Sequence, residues 1–278
     1  MKLALATLIA ILSAAAVPAQ AQDTIKIATE ASFAPWSFTN ASGKLDGFEI
    51  EFADALCTRI QAKCLVSNQS WDGLIPSLNA GKYDAIVASM SITPKRLEVI
   101  DFSSPYAAST NSFLVLNGSP AGDLDSTGIN LGLEADKEKA DKAIGIIDKQ
   151  LSGKIVGVQA STTGATFMAS RLPSAEVREY KTMDEATMDL AAGRIDALLG
   201  NVTVLQTSLK RDDMKDAKLT GPLFQGKAFG EVGIGLRKGD SALKEQLNSG
   251  IKSLSQDGTL KKLSIKWFGV DITPSAVK

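Results

Sequence analysis

Short apolar runs alternate along this chain with longer stretches in which apolar residues return every three or four positions. "TIKIAT" (24–29) is β-branched, so it is read as a strand. In "GFEIEFADALCTRI" (47–60), Phe48, Phe52, Ala55, Leu56 and Ile60 fall on one helical face, while Glu49, Glu51, Asp54 and Arg59 point elsewhere. "CLVSNQ" (64–69) gives the next strand, "WDGLIPSLNAGK" (71–82) a helix ending at Gly81, and "YDAIVAS" (83–89) a strand again. This β-α-β-α-β order is that of an open α/β sheet.

The order then recurs. "GKIVGVQA" (153–160), "AEVREY" (175–180) and "IDALLGN" (195–201) are strands, separated by helices over 162–172 and 182–194. "LNAGKYDAIVAS" and "LAAGRIDALLG" play the same part in the two halves: a helix end, Ala-Gly-Lys or Ala-Gly-Arg, then a strand opening with an aspartate. Two similarly built lobes are expected. Between them, 117–154 begins Gly-, Ser- and Asp-rich and contains a polar-faced helix over 135–151. The tail, 241–269, reads as two amphipathic helices broken at Gly258 and anchored by Trp267 and Phe268.

The first 21 residues differ from the rest. Lys2 precedes an uncharged apolar core, Leu3 to Ala16, and Ala19-Gln20-Ala21 fits a small-x-small cleavage site. This reads as a secretory signal peptide, too short for a membrane anchor, with the mature chain starting near Gln22. No later stretch is long and apolar enough to span a bilayer, so the mature protein is expected to be soluble and exported. Removing Lys2 leaves 29 basic against 31 acidic residues, a net charge of −2. That balance, without a basic run, argues against nucleic acid. The chain has no histidine, which removes the commonest metal ligand and general base. No metal or cofactor is expected. Cys57 and Cys64 are read as a disulfide tying a helix end to the next strand, with two buried thiols as the alternative.

Ligands of open α/β sheets sit beyond the carboxyl ends of the strands. Those ends carry Glu30, Phe33 and Trp36 after the first strand and Trp71 after the second. The third is followed by Ala88-Ser89-Met90-Ser91 running to Arg96. In the second half Gln159 is followed by Ser161, Thr162 and Thr163, and the last strand ends at Asn201. Thr93 caps a helix with Pro94 at its first position, and Arg96 then offers a guanidinium fork to a carboxylate. A positive side chain at a positive helix pole makes sense if a negative group belongs there. Ser161 to Thr163 open another helix with hydroxyls and free amides. Taken alone, either is also an ordinary helix start. Phe33 and Trp71 are placed to sandwich a ligand; Trp36 is read as core. "VGIGLRK" (232–238) lies on a strand without a following helix and does not make a nucleotide site.

Together these residues resemble a known family. "ATEASFAPWSF", "WDGLIPSLNAGKYDAIVASMSITPKR", "DFSSPYA", "AAGRIDALLGN", "GPLF" and "DGTLKKLSIKWFG" occur in the order found in periplasmic solute-binding proteins of ABC importers for polar amino acids, family 3. "GKLDGFEI", "VTVL", "KWFGVDITP" and the 117–154 excursion are most similar to its opine branch, which binds octopine and nopaline. The resemblance implies a type II periplasmic binding protein fold: α/β, two lobes, each an open mixed sheet flanked by helices, joined by a two-strand hinge. Lobe I would comprise 22–110 and 231–278, and lobe II 111–230. It implies a small-molecule ligand, a membrane permease as partner, a periplasmic location and a monomer. By that resemblance Arg96 clamps the ligand carboxylate, assisted by Ser89, Ser91 and Thr163. Phe33 and Trp71 stack on the ligand, and Glu30 receives its distal cation.

Two departures bear on the ligand. Simple amino-acid binders of the family carry an aspartate where this chain has Asn201, which leaves Arg96 and Glu30 as a neutral pair of site charges. Octopine, itself net neutral, suits such a site better than arginine. Position 33, often tyrosine, is phenylalanine. Ser91, where the opine branch also uses glycine, crowds nopaline's longer arm. An ordinary lysine-, arginine-, ornithine- or histidine-binding protein is the alternative within the family, and an enzyme of the related cyclohexadienyl dehydratase kind is the competing class. A receptor-kinase sensor would need a membrane helix after the domain.

Overall fold

The computed structural model describes residues 24–226 and 228–274; the signal-peptide reading of 1–21 lies outside them. Two mixed sheets carry the chain. The first has the order Lys63–Asn68, Thr24–Thr29, Ala85–Ile86, Glu231–Leu236, Asp101–Ala108. Its first three strands are parallel, and Glu231–Leu236 runs antiparallel to both neighbours. The second has the order Glu176–Tyr180, Ile155–Gln159, Ala197–Asn201, Asn111–Leu116, Ala217–Gln225, Asn130–Gly132. Again the first three are parallel, and Asn111–Leu116 is antiparallel to both its neighbours.

The internal repeat has a physical basis. In each half the first strand of the unit is central, flanked by the second and the third. The aspartate that opens each third strand accepts a main-chain N–H from the central one: Lys26 N donates to Asp84 Oδ2 at 2.9 Å, and Ile155 N to Asp196 Oδ2 at 2.8 Å. The acid thus completes the ladder where the strands are staggered.

The chain passes from the first sheet to the second between Ala108 and Asn111, and returns between Gln225 and Glu231. Strand 101–108 is not visible as a strand in the sequence, because Ser103, Ser104 and Pro105 interrupt its apolar pattern. The strand expected over 83–89 shortens to Ala85–Ile86. The helix expected over 71–82 divides into a 3-10 turn, Trp71–Gly73, and an α-helix, Leu74–Asn79, with Pro76 in its first turn. The helix expected over 135–151 forms at Lys137–Gln150.

One aromatic core binds the tail to the first half. Trp36, Phe48, Phe52 and Tyr106 are fully buried. Phe268, on the last helix Thr259–Phe268, lies 4.9 Å from both Trp36 and Phe48. Gly258 takes the left-handed turn (φ 78°) that separates this helix from Ser241–Gln256. The same cluster continues into Met183, Leu198 and Leu205 of the second half, so the halves are packed together. Phe113, Phe167, Phe224 and Phe229 form a separate core beneath the second sheet. Cys57, on helix Phe48–Arg59, is bonded to Cys64 on the next strand. Closing so short a loop stabilises the fold by about 2.5 kcal/mol.

Candidate functional site

A cavity lies where the two sheets point their strand ends at each other. Its free space, counting its open mouth, is about 540 Å³. From the first half it is lined by Glu30, Phe33, Trp71, Ala88, Ser89, Ser91 and Arg96. From the second come Gln159, Thr162, Thr163 and Asn201. Met90 and Ser161, expected at the site from their place in the chain, do not line it. Met90 turns into the core beside Leu74, Ile86 and Ile100. Ser161 sits at the rim, where its carbonyl accepts from both Trp71 Nε1 and Arg96 Nη2 at 3.3 Å.

Arg96 stands on a single helical turn, Pro94–Leu97. Thr93 caps it, with Oγ1 accepting from Arg96 N at 3.2 Å. The guanidinium is held by Ser91 O at 2.9 Å and lies 5.2 Å from the centre of the Trp71 ring. Burial pushes it down to about 10, so it stays cationic at neutral pH. Among the described residues no carboxylate lies within ion-pair distance of it. The cation is therefore oriented by two carbonyls, of Ser91 and Ser161, and an indole face, with no carboxylate partner.

Glu30 is the complementary charge. It is buried, and its Oε1 accepts from Gln159 Nε2 at 2.7 Å and from Ser32 Oγ at 3.2 Å. Burial pushes its carboxyl up to about 7. The Gln159 and Ser32 hydrogen bonds oppose that rise, and the negative charges of Glu49 and Asp72 add to it. No cationic side chain among the described residues pairs with it.

Between them the lining is neutral and rich in N–H donors. Asn201 caps helix Val202–Ser208: its Oδ1 accepts from Thr203 N at 2.9 Å and Thr203 Oγ1 at 2.7 Å. That use of the oxygen leaves the Nδ2 donor facing the cavity, 3.3 Å from Ser109 Oγ. Asn111 Nδ2 reaches the same hydroxyl at 3.3 Å. At Thr163 and Gly164 the first turn of helix Thr163–Arg171 also lines the cavity, capped by Thr162 Oγ1 on Ala165 N. Helix starts carry amides without intrahelical partners.

Hydrogen bonds also join the two halves across this cleft. Besides Gln159–Glu30 and the two bonds on Ser161 O, Trp36 Nε1 donates to Thr203 Oγ1 at 2.8 Å. Trp36 is thus core, as read from sequence, but with its one polar atom reaching the other half.

The sequence reading missed Ser109, Asn111, Gly164, Met183, Leu199 and Gly200, all of which line the cavity. Ser109 and Asn111 lie where the chain passes between the sheets. A polar "STNS" directly after an apolar segment was the available signal. Leu199 and Gly200 needed only the step back along the strand from Asn201.

A family model described as bacterial extracellular solute-binding proteins, family 3, matches residues 25–270. The chain belongs to this family. Among family-3 solute-binding proteins it is 45% identical over 272 residues to the octopine-binding periplasmic protein of Rhizobium meliloti, covering 91% of this chain and 92% of the relative. It is 35% identical over 267 residues to the L-arginine-binding protein of Pseudomonas aeruginosa, covering 94% of each. A solved ancestral arginine-binding protein bound to arginine superposes with a TM-score of 0.75 at 31% identity, covering 89% of this chain and 99% of that one. The fold is the two-lobed type II periplasmic binding protein fold.

Proposed function

We propose that this family-3 solute-binding protein is the receptor of an ABC importer and that its ligand is an arginine-derived opine of the octopine type. The observation that carries the reading is a cavity with one unpaired guanidinium, one unpaired carboxyl and, between them, amide donors in place of an anion. Octopine has a guanidinium for Glu30, a carboxylate for Arg96 and a second carboxylate that Asn111 and Asn201 can donate to. Both ligands carry a cationic α-nitrogen; in octopine the second carboxylate balances it, whereas arginine's α-ammonium has no such companion and needs an acceptor where Asn201 presents N–H. Ser91 in the wall leaves less room for nopaline's longer acidic arm. The resemblance to an octopine-binding protein supports the same choice.

In this reading residues 22–110 and 231–278 form one lobe and 111–230 the other, closing on the ligand about the two crossings. The closed form then docks on a membrane permease. The protein works as a monomer in the periplasm after removal of 1–21. We read it as a binder rather than an enzyme: elimination of the dehydratase kind needs a general acid in the cleft, Glu30 is the acidic residue lining it, and the second lobe offers Asn201, whose oxygen is committed to a helix cap.

The test is calorimetric titration of the ligand-stripped protein with octopine, nopaline and L-arginine. Tight octopine binding with weak arginine binding is the expected result. Tight arginine binding without octopine binding would make this a basic amino-acid receptor.

The Glu30 end carries its own pH signature. Between about pH 4.5 and 7 the folded, ligand-free protein keeps a proton on Glu30 that the unfolded chain has lost. Its contribution to stability is therefore full below about pH 4.5 and is lost as pH rises through about 7. A bound guanidinium reverses the preference and expels the proton. Affinity for octopine is expected to fall as pH drops below 7, by up to about tenfold per unit. Binding near pH 6 should release close to one proton, read as a dependence of the calorimetric heat on the buffer's ionisation enthalpy. Glu30→Gln should abolish that dependence. Proton-neutral binding by the wild type would mean that Glu30 does not meet the cation.

A further inference from the structure

Glu49 is a buried carboxyl, 1% exposed, that does not line the ligand cavity. It is the second residue of helix Phe48–Arg59, and main-chain contacts fix its position. Its N–H donates to Trp36 O at 2.8 Å. The preceding Gly47 has φ 124° and passes so close to Trp36 that a Cβ there would lie 2.5 Å from the same oxygen. The helical pattern in the sequence placed Glu49 away from the apolar face. The structure turns it inward, because its carboxylate has partners there.

Those partners are on the wall of the site. Glu49 Oε1 accepts from the main-chain N–H of Ser89 at 2.5 Å and from the Tyr106 hydroxyl. Ser89 has φ 47°, a left-handed conformation that costs a residue with a Cβ. The sheet ladder runs up to Val87, whose N–H donates to Ala28 O at 2.9 Å. The Ser89 N–H then leaves the ladder for Glu49. Two residues further on, the Ser91 carbonyl holds the Arg96 guanidinium at 2.9 Å. Glu49 Oε2 finds no hydrogen-bond partner among the described residues, and burial pushes the carboxyl up to about 7. Packing alone would favour an apolar side chain in this place. A carboxyl held there at a cost is accounted for by the turn it holds.

We propose that Glu49 is a positioning residue for ligand binding: its carboxyl pins Ser89 in the left-handed turn that shapes the Ala88–Ser91 wall and, through the Ser91 carbonyl, aims Arg96. Ligand affinity then depends on a residue that never touches the ligand. The effect on affinity rests on the reading that Arg96 meets a ligand carboxylate.

The test separates the two. In the ligand-free wild type the Ser89 amide is expected to exchange with solvent at least 100-fold more slowly than an unbonded loop amide; unprotected exchange would overturn the proposal outright. Glu49→Met keeps the volume and removes the acceptor, and should speed Ser89 exchange at least tenfold while leaving the amides of helix 48–59 unchanged. Glu49→Gln keeps an acceptor of the same reach and should restore protection. Octopine and L-arginine affinities should follow the same order, falling about 10- to 100-fold in Glu49→Met and staying within about threefold of wild type in Glu49→Gln. In a Ser89→Gly background, where glycine adopts the turn unaided, Glu49→Met should cost less than about threefold. A freed Ser89 with unchanged affinity would overturn the proposal, as would a Glu49→Met loss of equal size in both backgrounds. Wild-type binding of agmatine, which lacks the carboxylate, as tightly as L-arginine would sink the carboxylate reading. Ser89 exchange, and whether affinity follows it, would still decide the role of Glu49.

Discussion

Replacing Arg96 with methionine is expected to weaken octopine binding by about 100-fold or more without lowering the melting temperature of the ligand-free protein. The two halves of that expectation have one cause. Among the described residues the guanidinium is taken from water and given two carbonyls, an indole face and no carboxylate. Its descent to about 10 records that cost, on the order of 2–3 kcal/mol once its partial exposure is allowed for. Methionine keeps the apolar stem against Trp71 and removes the charge. It also removes the bond from Arg96 Nη2 to Ser161 O across the cleft, a small loss at 3.3 Å. In the complex the account changes sign. A charge-assisted fork on a buried carboxylate is lost, and the carboxylate is left unpaired, which costs about 2–5 kcal/mol. Calorimetry and thermal unfolding on the same preparations check both parts. A variant that binds normally would place the ligand's carboxylate elsewhere. One that loses binding and unfolds early would make Arg96 structural.

The sequence made the α/β order, the repeat, the disulfide and most of the cavity wall legible for one reason. Each is a local pattern or a strand end, and α/β topology sends strand ends to one place. Asp84 and Asp196 were visible as a repeated letter; their function, closing the ladder onto Lys26 and Ile155, was visible only in the structure. What the sequence hid depends on the backbone between elements. Met90 and Ser91 are adjacent, yet one enters the core and the other the cavity, as neighbouring residues of extended chain do where Ser91 bridges Val232. Ser161 has a left-handed φ of 58° and serves through its carbonyl, a contribution that no residue type announces. Glu49 was misplaced because helical periodicity counts apolar residues, whereas two donors on the inner side hold this carboxyl there despite the cost of burial.

The sharpest test of ligand choice is Asn201→Asp, which is expected to raise affinity for L-arginine about 10- to 100-fold and to lower affinity for octopine by a similar factor. The substitution is close to isosteric and keeps the helix cap, since an aspartate oxygen accepts from Thr203 N and Oγ1 as the amide oxygen does. A negative group at a helix N-terminus is also well placed. What changes is the atom beside Ser109: an N–H donor becomes an anionic acceptor. The site charge passes from neutral to −1, which complements arginine's net +1. For octopine the same oxygen faces a second carboxylate, with Asn111 left as the donor on that side. Each effect is on the order of 1.4–2.8 kcal/mol, the range of one charge-assisted hydrogen bond gained or one like-charge contact imposed. Paired titrations of wild type and variant with both ligands read the ratio directly, and it should move by about 100-fold or more. Affinities that shift together, in either direction, would show that position 201 sets closure of the cleft and not the choice between a lone α-ammonium and one accompanied by a second carboxylate.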